Sequence, residues 1–126
     1  MENYSIDGTQ KTPTINFDLT KGELHISGSS IPENSVDFYK PLIAAIDIYA
    51  ASPKPATLAS FNMRYFNTSS SKRILDIFKK LEGINRNGSA VTVNWIYEDD
   101  DDDMLEAGED YQSVVDLPFV MVPVKV

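Results

Sequence analysis

Cysteine is absent from the 126 residues and histidine occurs once. Disulfides, thiolate zinc sites, iron–sulfur clusters and cysteine nucleophiles are therefore all excluded. Basic residues are scarce, eleven Lys and Arg against nineteen Asp and Glu, so the net charge is −8. A broad phosphate-binding surface for nucleic acid is not expected from so few cations. No apolar run approaches the roughly 18 residues of a membrane span. The opening MENYSIDGTQ has neither the basic nor the apolar region of a secretory signal, so a soluble cytoplasmic protein is expected. What is present, 42% apolar residues over this length, suits a single domain, residues 1–126, with one core.

The negative charge is concentrated. Residues 98–110, EDDDDDMLEAGED, hold nine of the nineteen acids and no base, and the rest of the chain carries eleven bases and ten acids. A calcium loop beginning at Asp99 would need Gly at its sixth position and Glu at its twelfth. Met104 and Asp110 stand there instead, so no metal site is expected. Acids at Asp101, Asp102, Asp103 and Glu106 suit the first turns of a helix, whose dipole favours negative charge there. The other reading of Asp100, Asp101, Asp102 and Asp103 is an exposed acidic surface for a basic partner.

Periodicity gives the element order. Ile15, Phe17 and Leu19, then Leu24 and Ile26, alternate around Thr20-Lys21-Gly22 and predict an N-terminal β-hairpin. Apolar positions 39, 42, 43, 46 and 49 or 50 predict a helix opened by Pro32 and Asn34 or Ser35. Pro41 predicts either a kink or a regular helix starting near it. Ala59, Phe61, Met63 and Tyr65 alternate with polar residues and predict a strand with one apolar face. Ile74, Ile77, Phe78 and Leu81 predict an amphipathic helix stopped by Gly83 and residues 85–88. Val91, Val93, Trp95 and Tyr97 give another strand, residues 102–115 a helix, and Leu117 to Val124 a last strand, at an edge because of Pro123. Helices between successive strands imply right-handed crossovers. The expected class is α/β, a mixed sheet of about five strands with flanking helices.

The tract FNTSSSKR, residues 66–73, carries the strongest local signal. A strand running into hydroxyl residues and then a helix sets those hydroxyls beside unpaired backbone N–H groups. The plainer role is capping, with Asn67, Thr68 or Ser69 as N-cap. The first turn holds Lys72 and Arg73 and no acid, the reverse of what the dipole favours, which leaves room for an added anion. That anion could be a covalent phosphate or a bound ligand phosphate. No P-loop, GxSxG or HExxH motif occurs, and His25 has no partner for a triad, so nothing points to catalysis or to a cofactor.

The segments PENSVDFYKPL, FNTSSSKRILDIFKKLE, VTVNWIYEDDDDDMLEAGEDY and DLPF resemble the SiaC family of bacterial regulatory phosphoproteins along nearly the whole chain. The resemblance implies a STAS-like mixed sheet and a non-enzymatic partner-switching role. It implies phosphorylation by a HATPase-type kinase and dephosphorylation by a metal-dependent phosphatase of the PPM type. It also implies that the unphosphorylated form binds and activates a diguanylate cyclase, a role tied in some members to biofilm formation. The family's phosphorylated threonine falls on Thr68, with Asn67, Ser69, Ser70, Ser71 and Lys72 matching around it. Two other classes stay open beside it: a phosphate- or nucleotide-sensing domain, and a structural subunit that uses its acidic surface.

Overall fold

The computed structural model describes residues 3–126. The chain runs β1 (Tyr4–Ile6), β2 (Thr14–Asp18), β3 (Glu23–Ser30), α1 (Ser35–Ala50), β4 (Ala56–Phe66), α2 (Thr68–Arg86), β5 (Ala90–Glu98), α3 (Asp102–Val114) and β6 (Phe119–Val124). The strands form one mixed sheet in sequence order, with β1, β2 and β3 antiparallel and β3 to β6 parallel. The sheet has six strands rather than about five. The extra one, β1, is only three residues long and too short for periodicity to reveal.

Three crossovers that step the same way across a sheet, each right-handed, place all three helices on one face. The register agrees. Ile15, Ile26, Phe61 and Trp95 are paired in one row across β2 to β5, and each is almost wholly buried. The neighbouring row on the opposite face, Asn16, His25, Ser60 and Asn94, is polar. Trp95 is the centre of the core, stacked on Phe61 and surrounded by Phe66, Phe78 and Tyr111. Gly22 closes the predicted hairpin at a positive φ of 73°, and a Cβ there would overlap the Tyr49 hydroxyl.

Three expectations need correction. Of the two alternatives for Pro41, the regular helix starting near it is the one that fails: α1 opens at the expected Asn34 and Ser35, six residues before Pro41, and continues through it. Asn34 caps it reciprocally, accepting from the Asp37 N–H and donating to the Asp37 carboxylate, and the proline removes a single backbone donor on an exposed turn. Gly83 does not stop α2, which runs on to Arg86 before Asn87 and Gly88 end it. Tyr65 is 56% exposed rather than part of the apolar face. The β3–β4 register shifts between Gly28 and Ser29, so Arg64 is an extra residue in β4 and the faces exchange beyond it. Phe66 takes the inward place, against Trp95 and Tyr111. Strand β6 lies at the sheet edge. Val93 donates to the Pro118 carbonyl and Asp99 to that of Val124, so even-numbered residues of β6 bond inward. Pro123, lacking an N–H, faces the open edge.

Candidate functional site

The parallel strands β3, β4 and β5 end on the edge of the sheet where α1, α2 and α3 begin, the usual place for sites in α/β folds. The bulge in β4 turns Phe66 inward and delivers Asn67 as the N-cap of α2. The Asn67 N–H donates to the Ser30 carbonyl at 3.0 Å, and its side-chain oxygen accepts from the Ser70 N–H at 2.9 Å. One residue thus ties the helix start both to β3 and to itself.

The four hydroxyls that follow are not equivalent. Ser70 is fully buried and donates to the Ser30 carbonyl at 3.0 Å, while the Ser30 hydroxyl donates to Ser70 Oγ at 2.8 Å. With those protons committed, the Tyr39 hydroxyl, 2.6 Å from Ser30 Oγ, must be a donor. Burial pushes the Tyr39 phenol up to about 12, against the lowering effect of its Ser30 bond, so it keeps that proton. Ser71 donates to the Thr68 carbonyl at 2.7 Å. Ser69 is exposed and reaches Asn67 Oδ1 only at 3.4 Å. Thr68, the first residue of the helix, is exposed, and its hydroxyl makes no hydrogen bond among the described residues.

Two further contacts brace the tract. Ser35, at the start of α1, donates to the Ser69 carbonyl at 3.3 Å. Tyr111 of α3 donates to the Ser71 carbonyl at 2.9 Å, its phenol raised far above the ordinary range, chiefly by burial and further by Tyr39. Ser30, Ser35, Tyr39 and Tyr111 were not legible as site residues. They lie between 29 and 43 residues from Thr68, and the two tyrosines look like core positions in their helices.

Charge around α2 is less free than the sequence suggests. Arg73 pairs with Asp76 at 2.9 Å, Lys79 with Glu82 at 3.5 Å and Lys80 with Asp47 at 2.9 Å. Lys72 is exposed and forms no ion pair among the described residues. A shallow apolar groove of about 330 Å³ opens beside it between α2 and α3, lined in part by Leu75 and Val114. The acids lie apart. Asp101 caps α3 by accepting from the Met104 N–H at 3.0 Å, and Asp102 and Asp103 occupy the first turn. Asp100 completes the patch with Glu98. Among the described residues no cluster of His, Asp or Glu is arranged to hold a metal ion. None of the helices is long and apolar enough to cross a membrane.

An exposed hydroxyl on an acid-free helix start, braced by buried hydrogen bonds, is a place where added negative charge can be received. Residues 6–124 match the model of a family of regulatory phosphoproteins. That family is SiaC, and the chain belongs to it. The structure of SiaC of Pseudomonas aeruginosa superposes with a TM-score of 0.91 at 30% identity, covering 98% of this chain and all of that one. A second structure, of diguanylate cyclase SiaD in complex with its activator SiaC from the same organism, gives 0.90 at 30% identity over 96% of this chain and 99% of that one. An uncharacterized protein of Pseudomonas aeruginosa strain UCBPP-PA14 is 31% identical over 121 residues, 96% of each chain.

Proposed function

We propose that this chain is a cytoplasmic partner-switching regulator that acts by binding, not by catalysis, with Thr68 as its switch. In the unphosphorylated state it binds and activates a diguanylate cyclase through the surface around Thr68. Asn67, Ser69, Ser70, Ser71 and Lys72 shape that surface. A HATPase-type kinase phosphorylates Thr68 and a PPM-type phosphatase restores it. The carrying observation is that Thr68, of the four hydroxyls in the tract, is both exposed and without a hydrogen bond among the described residues. Membership in a family of regulatory phosphoproteins, and the SiaC–SiaD complex of a relative, support the same reading.

Phosphorylation brings roughly −2 charge and three acceptor oxygens. The uncapped N–H groups of the first turn and the exposed Lys72 can receive it locally, so the fold need not change. A partner docked on the neutral surface then meets a buried charge and a competitor for Lys72. A penalty of about 3 kcal/mol lowers affinity by roughly two decades. The test is a quantitative pull-down from the native cell with wild type, Thr68→Ala and Thr68→Glu as baits. A diguanylate cyclase held by wild type and Ala and lost by Glu supports the switch. Identical partners for all three baits would reduce Thr68 to a structural position and turn attention to Asp100–Asp103.

A further inference from the structure

The two edges of the sheet are finished differently. Strand β1 closes one edge with only three residues, too short to recruit another strand. Strand β6 closes the other with six, and residues 117–124, LPFVMVPV, contain no charge. Natural sheets protect an open edge with charge, a bulge, proline or a covering element, and of these β6 has only Pro123. Among the described residues no strand pairs with its outer side. Val120 and Val124 are 47% and 38% exposed on the helix-free face of the sheet, while Phe119 and Met121 are half-buried on the other. Because the even-numbered residues of β6 bond inward, the N–H and C=O groups of Phe119 and Met121 point away from the sheet.

We propose that this edge pairs with the same edge of a second copy of the chain, the two β6 strands running antiparallel about a two-fold axis. The parity of the backbone bonds sets the register. With Val120 opposite Val120 of the second copy, Phe119 and Met121 exchange both of their outward bonds with Met121 and Phe119 across the axis. Pro123 then falls opposite Leu117, outside those pairs, so its missing N–H interrupts neither of them. Side chains match on both faces, valine on valine on one and phenylalanine beside methionine on the other. Charge favours a second copy over an unrelated strand. The same register brings Lys125 opposite Val115, at the C-terminal end of the second copy's α3. That helix carries five acids and no base, and its last turn lacks the cation that a helix C-terminus favours. Each copy's Lys125 supplies it to the other. The pairing is separate from the Thr68 switch, since Thr68 follows β4, two strands from this edge.

Sedimentation of the full chain over a concentration series should show a monomer–dimer equilibrium. Val120→Glu sets two carboxylates opposite each other at a position already exposed, and should raise the dissociation constant about tenfold or more without lowering the melting temperature of the dilute monomer. Lys125→Glu should raise it by less, and Thr68→Glu should leave it as in wild type. Because the chain has no cysteine, single replacements read the register directly. Opposed residues of an antiparallel pair that do not bond to each other have Cα atoms about 4.5 Å apart, within disulfide reach. Val120→Cys should therefore form a disulfide-linked dimer under mild oxidation about tenfold or more faster than Val122→Cys, whose two copies lie roughly 13 Å apart along the strands. A chain that stays monomeric at every concentration, or equal cross-linking rates for the two cysteine variants, would overturn the proposal. So would Phe119 and Met121 amides that exchange freely in the concentrated pure chain and become protected only when another protein is added, a result that gives the edge to a partner's strand.

Discussion

Helices α2 and α3 start on the same edge of one sheet and satisfy their first turns in opposite ways. Helix α3 is capped by Asp101 and follows it with Asp102 and Asp103, so it supplies the negative charge its dipole favours. Helix α2 is capped by neutral Asn67 and has no acid in its first turn, which holds the four hydroxyls of Thr68 to Ser71, so that Lys72 and Arg73 lie one turn on rather than in it as the sequence suggests. Helix α1 sides with α3, having Asp37 in that position. The helix that lacks an acid is also the one whose leading hydroxyl is exposed and, among the described residues, unbonded. Charge is thus built into α3 by sequence and is absent from the start of α2, where the proposed phosphorylation would add it.

The largest effect that sharpens this contrast concerns the interior glycine each helix carries. A Cβ at Gly108 of α3 would overlap the indole of Trp95, whereas one at Gly83 of α2 meets nothing within 4 Å. Gly108→Ala should cost about 2–3 kcal/mol by overpacking. Gly83→Ala should stabilise by about 0.5–1 kcal/mol through helix propensity. Chemical denaturation of both variants checks the pair. Equal effects would mean that α3 is not held against Trp95.

Next comes the link from α2 to the segment after α3. The buried Glu82 accepts from the Asp116 N–H. That bond holds its carboxyl below the ordinary 4.5, with burial opposing and Lys79 assisting. A lowered pKa adds stability that is fully present above the unfolded value and is lost as pH falls through the folded one. Glu82→Gln should therefore cost about 1–2 kcal/mol at neutral pH. The gap to wild type should stay level down to about pH 5 and close below it. A gap that widens with acid would contradict the assignment.

Smaller effects probe the two helix starts directly. Asn67→Ala and Asp101→Ala should each cost about 1 kcal/mol, the general value of a cap. Ser69→Asp should stabilise α2 by a few tenths of a kcal/mol at low salt, an increment that fades in 1 M salt. Adding Asp at Leu105, beyond the acids α3 already has, should give no such gain. Thermal melts at two ionic strengths separate these outcomes. If Ser69→Asp destabilises, the first turn of α2 is not short of negative charge.

Much of this architecture was open to sequence reasoning because it rests on local periodicity. Val91, Val93, Trp95 and Tyr97 alternate as a half-buried strand must, and Ile74, Ile77, Phe78 and Leu81 repeat as a helix must. Failures occurred where a tertiary contact overrides the local pattern. Tyr65 follows the alternation, yet a bulge opposite Gly28 and Ser29 turns it outward. Pro41 and Gly83 carry the local marks of helix ends, but the packing of Tyr39, Leu42 and Leu81 carries both helices through. At the site, sequence located the tract and the resemblance to SiaC chose Thr68, while physical reasoning alone left four hydroxyls open. Sorting them needed Ser30 and Tyr39, distant residues that withdraw Ser70 from the surface.

The central claim is that charge added at Thr68 switches binding without altering the fold. Its most direct test compares unmodified protein with protein carrying phosphothreonine at position 68, measuring affinity for the cyclase and amide chemical shifts together. The account predicts an affinity loss of about a hundredfold or more. Shift changes should be confined to the first turn of α2, the adjoining start of α1 and the groove-facing side of α3. Equal affinity for the two forms, or shift changes spread through β4, β5 and the core, would contradict it.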